Sequence, residues 1–132
     1  MRVLLDTDTC IGCLRGQPKP LDHLEAEGSD GVAVSSITVM ELMLGAHLSG
    51  SPTREFKLVE AFLAPIRILP FDAEEASFAA TLLQSCRKKG LHPGPFDLLI
   101  GATAKAHGLV VATGNAKHFA MMHGLKLENW LR

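Results

Sequence analysis

The sequence predicts an α/β fold, a parallel sheet with helices on both faces, from three observations. Short apolar runs stop abruptly at polar or turn-forming residues, as Val3-Leu4-Leu5 does at Asp6-Thr7-Asp8-Thr9. Segments of helical length alternate with these runs, the order that βαβ units require. No repeat, linker or low-complexity stretch interrupts them, so residues 1–132 are expected to form one domain.

Taken in order, Val3 to Leu5 reads as a short buried strand, and Leu21 to Ala26 as helical. After the turn Gly28-Ser29-Asp30-Gly31, Val32-Ala33-Val34-Ser35 gives a second strand. A helix from about Thr38 to His47 follows, broken by Gly50-Ser51-Pro52. Arg54 to Leu63 is amphipathic and is stopped by Pro65, and Ile66 to Leu69 is a third strand. Asp72 is suited to cap the next helix, whose expected packing face is Ala76, Ala79, Ala80, Leu82 and Leu83. Its end is marked by Arg87-Lys88-Lys89-Gly90. Phe96 to His107, apolar almost all round, predicts a buried helix closed by Gly108. Leu109 to Ala112 is a fourth strand, and a last short strand falls near Leu125 to Leu127.

Composition narrows the function classes. With 47% hydrophobic and 20% charged residues, the chain is expected to bury a core, and no apolar run approaches membrane-spanning length. The formal net charge of −1 gives no global attraction to nucleic acid, so any such contact needs a local basic patch or metal ions. The opening apolar run Val3-Leu4-Leu5 meets Asp6 before a secretory h-region could form, and three cysteines, Cys10, Cys13 and Cys86, suit a reducing compartment. A cytoplasmic location is expected.

Against this background three acids stand out. Asp6 ends a buried strand, Glu41 lies between Val39-Met40 and Leu42-Met43-Leu44, and Asp97 opens the apolar run Phe96 to Ala104. A poorly solvated carboxylate is costly unless paired, hydrogen-bonded or metal-bound, and a hard divalent cation accepts several carboxylates at once. Ligands of open parallel sheets bind outside the carboxyl ends of the strands, where Asp6 and Asn115 would fall. Each acid also has a plainer reading. Thr38-Val39-Met40-Glu41 has the form of a capping box, Asp97 after Pro95 suits a first helical turn, and Asp6 can cap a following helix.

Four ordered segments resemble the motifs of PIN-domain nucleases, and most closely those of VapC toxins. They are Leu4-Leu5-Asp6-Thr7-Asp8, Ser35 to Gly45, Gly94-Pro95-Phe96-Asp97-Leu98-Leu99-Ile100 and Val111-Ala112-Thr113-Gly114-Asn115. The resemblance extends to the closing Asn129-Trp130-Leu131. It implies a five-stranded parallel sheet, Mg²⁺- or Mn²⁺-dependent endoribonuclease activity on a structured RNA such as tRNA or rRNA, homodimerisation, and inhibition by a cognate VapB-type antitoxin. Carried over by motif, Asp6, Glu41 and Asp97 are the acidic metal ligands, Asn115 is the fourth catalytic position, and Thr113 supports the site. Asp8 stands where the family usually has Asn, and His118 where an acidic residue is common. With Asn115 and His118 uncharged, the expectation is one tightly held ion, and a second only with substrate.

Substrate contact is expected from Thr113, Arg15, Lys117 and His118, which lie within or near the motifs, while Arg87-Lys88-Lys89 is better explained by its helix terminus. Met40, Met43, Leu44 and Leu48 are expected to pack in the core, the alternative being a groove for a partner helix. Other chemistries compete. Asp6 and Asp8 resemble the first motif of haloacid-dehalogenase-type phosphatases, Cys10 and Cys13 permit a thioredoxin-like reading, and zinc would need a second ligand pair that does not follow. A non-catalytic RNA- or partner-binding domain is the non-enzymatic alternative.

Overall fold

A computed structural model describes residues 1–132. The chain begins with β1 (Val3–Leu5), α1 (Thr7–Leu14) and α2 (Pro18–Glu27), and a 3-10 turn leads to β2 (Val32–Ser35). Then come α3 (Ser36–Leu48), α4 (Pro52–Leu63), β3 (Arg67–Leu69) and α5 (Ala73–Lys88). The chain closes with α6 (Pro95–His107), β4 (Val110–Ala112), α7 (Ala116–Phe119) and β5 (Leu127–Glu128). All pairings are parallel, in the order β3-β2-β1-β4-β5, with Val3 opposite both Val32 and Val110.

Alternation along the strands sends side chains into two cores. Val3, Leu5, Val32 and Val34 pack with Cys10, Leu42, Val59, Leu63 and Trp130 under α1, α3 and α4. Leu4, Ala33 and Val111 pack with Ala79, Leu82, Leu98, Ile100 and Phe119 under α5 and α6. Val3, Leu4 and Leu5 are wholly buried, and burial of each such side chain contributes about 1.5–3 kcal/mol. This two-sided cover is why the strands read as continuous apolar runs.

The strand order locates the binding rim. From β1 the chain steps outward through β2 to β3, then returns to the other side of β1 for β4. The crevice between the carboxyl ends of β1 and β4 is therefore the topological switch point, where open α/β sheets bind ligands. The amide of Asp6 donates to the carbonyl of Ala112 at 3.0 Å, tying the two strand exits together.

Several element boundaries differ from expectation. The second helix starts at Pro18 rather than Leu21, because proline is suited to a first helical turn. α3 starts at Ser36, two residues before Thr38, because Ser35 is its N-cap and accepts from the Ile37 amide at 3.1 Å. In α5 the buried residues are Glu75, Ala79, Leu82 and Cys86, whereas Ala76 and Ala80 face solvent. Glu75 is buried because it completes a capping box with Asp72 and meets His107 at 3.7 Å. That contact joins the first turn of α5 to the last turn of α6, so the two helices run antiparallel. Two further elements, α7 and the start of β5 at Leu127, also depart from the sequence reading.

Met40, Met43, Leu44 and Leu48 do not fill the core. They are 38%, 39%, 48% and 78% exposed, because α3 buries only Thr38, Leu42 and Ala46. No helix is long and apolar enough to cross a membrane.

Candidate functional site

Asp6 leaves β1 directly at the switch point and is only 3% exposed. It caps α1, its Oδ1 accepting from the Thr9 amide at 2.8 Å, so the capping and rim readings hold together. Burial raises its pKa, and nearby Asp8 raises it further. Hydrogen bonds from Thr113 and Thr9 only partly offset this. Thr9 also donates its hydroxyl to the Ala112 carbonyl at 3.0 Å, which locks the first turn of α1 onto β4.

Asp97 reaches the same rim because α6 runs antiparallel to β4. The helix ends at Gly108, whose φ of 66° makes the left-handed turn straight into the strand, so its N-terminus lies at the strand's carboxyl end. Asp97 sits in the first turn of that helix. Its pKa is also raised, chiefly by burial. His118 pulls it down and Asp8 pushes it up. Asp8, exposed on α1, thus acts electrostatically on both Asp6 and Asp97.

The turn after β4 supplies the next residues. Thr113 is fully buried, and its hydroxyl accepts from the Asn115 amide at 2.8 Å. It therefore shapes the turn and supports Asp6, and it is too deep for the substrate contact expected of it. A Cβ at Gly114 would stand 2.3 Å from Leu131 Cδ1, so a larger residue in this turn would displace the Leu131 side chain. The side-chain Nδ2 of Asn115 lies 2.9 Å from His118 Nδ1, and that ring nitrogen is 3.8 Å from Asp97 Oδ2. Nδ1 can accept from Asn115 or, when protonated, face Asp97 as a cation.

Glu41 lies in the second turn of α3, so it does not form the capping box with Thr38. Instead its Oε1 accepts from the Thr7 hydroxyl at 2.7 Å. Glu41 and Arg15 line one groove of about 580 Å³ between α1, α3 and α4. Lys117 and His118 are exposed on α7.

Only Asp6 among the three acids is fully buried; Glu41 and Asp97 are half-buried. No three His, Cys, Asp or Glu side chains converge on one point as a ready-made metal cage. The roles of Thr7 and Thr9 are visible only in the structure, although a hydroxyl residue on either side of Asp8 in a strand-to-helix turn is the pattern that carries them.

The competing chemistries fit poorly. Asp6 is too buried and too firmly engaged as a cap for the open phosphoryl acceptor of a phosphatase. All three cysteines are free and buried. Burial raises Cys10 well above the ordinary thiol range and pushes Cys13 up to about 11, the reverse of a redox-active thiol.

Comparison with known proteins agrees with this geometry. The family model described as PIN domain matches residues 3–123. The tRNA(fMet)-specific endonuclease VapC of Salmonella typhimurium is 32% identical over 130 residues, 98% of each chain. Ribonuclease VapC2 of Haemophilus influenzae is 30% identical over 131 residues, 99% of each. The fold superimposes on the crystal structure of DNA-bound VapBC from Salmonella typhimurium with a TM-score of 0.94 at 32% identity, covering 98% of both chains.

Proposed function

Because the chain belongs to the PIN-domain family and, within it, to the VapC ribonucleases, we propose that it is a divalent-metal-dependent endoribonuclease, the toxin of a toxin–antitoxin pair. Residues 1–132 act as one domain in the cytoplasm, on a structured RNA such as tRNA. The observation that carries this reading is Asp6, a desolvated carboxylate at the switch point with no Lys or Arg partner.

The donor set suits Mg²⁺, with Mn²⁺ as a substitute. Asp6 and Asp97 are both destabilised as anions by burial, and a cation would relieve both. Mg²⁺ keeps several waters and takes one or two carboxylates, so three acids need not close on one point. Asp6 and Asp97 would hold the ion, with Glu41 nearby as a ligand through water or as the base. When bound, such an ion lowers the pKa of water and neutralises charge on a phosphodiester.

The chain's own residues supply the rest. Glu41 keeps Oε2 without a protein partner, which leaves it free to take a proton from the attacking water. Asn115 adds a neutral polar group at the rim without further negative charge, and His118 offsets Asp97 when protonated. Arg15 beside Glu41 and Lys117 on α7 are the cations that let RNA phosphates approach an acidic rim.

The partner is a VapB-type antitoxin, and the protein is a homodimer. The exposed Met40, Met43, Leu44 and Leu48 on α3 support such contacts, since unpartnered apolar side chains of this kind suit adaptable packing against another chain.

The test is RNA hydrolysis by the purified toxin with Mg²⁺ or with chelator. Cleavage that needs the metal and disappears in Asp6→Asn and Asp97→Asn, with folding intact, is expected. RNA binding without cleavage by the unaltered chain would instead make it a non-catalytic binding domain.

A further inference from the structure

We propose that Thr7 is a positioning residue, the end of a two-hydroxyl chain from Thr38 that ties the Glu41 carboxylate of α3 to the first residue of α1, directly after Asp6. Thr7 Oγ1 lies 2.7 Å from Glu41 Oε1 and 3.2 Å from Thr38 Oγ1. The direction of the chain follows from proton count. An ionised carboxylate only accepts, so the single hydroxyl proton of Thr7 goes to Glu41. The Thr7 oxygen must then accept, and the donor is Thr38.

Burial makes this order stringent. Thr38 is wholly buried, and Thr7 is the sole partner of its hydroxyl. No buried side-chain nitrogen or oxygen in the chain is left without a partner, and this contact is what satisfies Thr38. Glu41 has no Lys, Arg or His at ion-pair distance. The Thr7 hydroxyl is thus its only side-chain partner, and a charge-assisted one.

The consequence is geometric. Asp6 belongs to the exit of β1, and Glu41 to the second turn of α3. Thr7 is covalently next to Asp6, so its bond to Glu41 sets the spacing between acids contributed by separate elements. It also engages Oε1, which leaves Oε2 as the oxygen without a protein partner, the one that would be open to water or a bound ion. A flexible Glu would otherwise sample several rotamers at the rim.

This inference rests on the nuclease reading of the site, and the experiment separates the two. Mn²⁺ binding to the purified protein is measured by calorimetry alongside RNA cleavage, with folding checked by thermal melting. Thr7→Val, close in shape but without the hydroxyl, is expected to weaken Mn²⁺ binding about 10-fold and lower kcat about 10–100-fold. KM for RNA should stay nearly constant. Thr7→Ser should restore both, and Thr38→Val should give a smaller loss of the same kind. In a Glu41→Ala background, Thr7→Val should add nothing, because the residue it acts through is gone. Mn²⁺ affinity and kcat unchanged in Thr7→Val, or an equal loss with Glu41 already removed, would overturn the assignment. Altered Mn²⁺ binding in a protein that never cleaves RNA would uphold the positioning role and overturn the nuclease reading.

Discussion

β1 carries a charge at each end, Arg2 before Val3 and Asp6 after Leu5, and the two ends are treated in opposite ways. At the amino end, Arg2 contacts Glu27 at the end of α2 and Glu128 in β5, and the Trp130 indole N–H also donates to Glu128 at 3.1 Å. Hydrogen bonding to Arg2 holds the Glu128 carboxyl below its ordinary range. At the carboxyl end, Asp6 and Asp97 are pushed above theirs by burial, and the only positively chargeable neighbour of either is His118. One end has its charges matched from within the chain, as a structural tie does. The other is stabilised only when something cationic arrives, as a binding site is.

The sharpest way to break that contrast is to remove charge from the unmatched end. Asp6→Asn and Asp97→Asn are each expected to lower RNA hydrolysis by about 10³-fold or more, the equivalent of several kcal/mol of lost stabilisation. Initial rates on a single RNA at saturating Mg²⁺ measure the effect. Retention of a tenth of the activity by either variant would mean that the pole does not depend on its carboxylates.

The same substitution should have the opposite sign in stability. A carboxyl whose folded pKa lies above its unfolded value of 3.8 weakens the fold as pH rises, since the unfolded chain ionises first. The full penalty is present once pH passes the folded pKa, so at neutral pH metal-free Asp6→Asn should melt a few degrees above the unaltered protein. Metal reverses the order. Ligand at 100 times its Kd adds about 2.7 kcal/mol to the unaltered protein and little to the variant. Differential scanning calorimetry with and without Mn²⁺ should therefore show the two melting curves cross in rank.

A third measurement reads the proton directly. Metal must displace protons that Asp6 and Asp97 hold more tightly than ordinary carboxylates, so Mn²⁺ affinity should rise with pH from the ordinary carboxylate range upward. Titrations at a series of acidic pH values should show proton release on binding. Affinity that is flat across that interval would contradict the raised pKa values at this pole.

The contrast was only half visible in the sequence. Asp6 could be found because a charge ending a continuous apolar run is abnormal whatever the fold, and α6 because it is apolar on every side. The sequence places Glu41 in the right segment but the wrong turn. Ser35, Ser36 and Thr38 are all credible caps, and only the end of β2 decides that Ser35 takes the role. The Thr7 to Glu41 bond depends on packing α1 beside α3, which no local pattern encodes. Alanines gave a false face for α5 because they fit either side of a helix, and buried Glu75 was hidden in an ordinary acidic first turn. The four residues of α7 are too few to show a period. The match of Arg2 to Glu27 and Glu128 joins residues from three separate segments and left no trace in the local sequence.

The matched end should give the smallest effect. Arg2→Ala leaves Glu27 and Glu128 exposed enough to be solvated, and ion pairs at such positions contribute little. RNA cleavage should remain within about twofold, because effects at distant sites with no shared partners add independently. The melting temperature should fall by a degree or two at low salt and by less at high salt, as screening weakens the ion pairs that only the unaltered protein has. Its pH dependence should run opposite to that of Asp6. Glu128 has a folded pKa below 4.5, so its contribution is present above that value and fades as pH falls through the folded pKa. Arg2→Ala should therefore flatten the acid limb of the stability curve, while Asp6→Asn removes a decline that occurs as pH rises. Two substitutions at opposite ends of one three-residue strand would then bend the same curve in opposite directions.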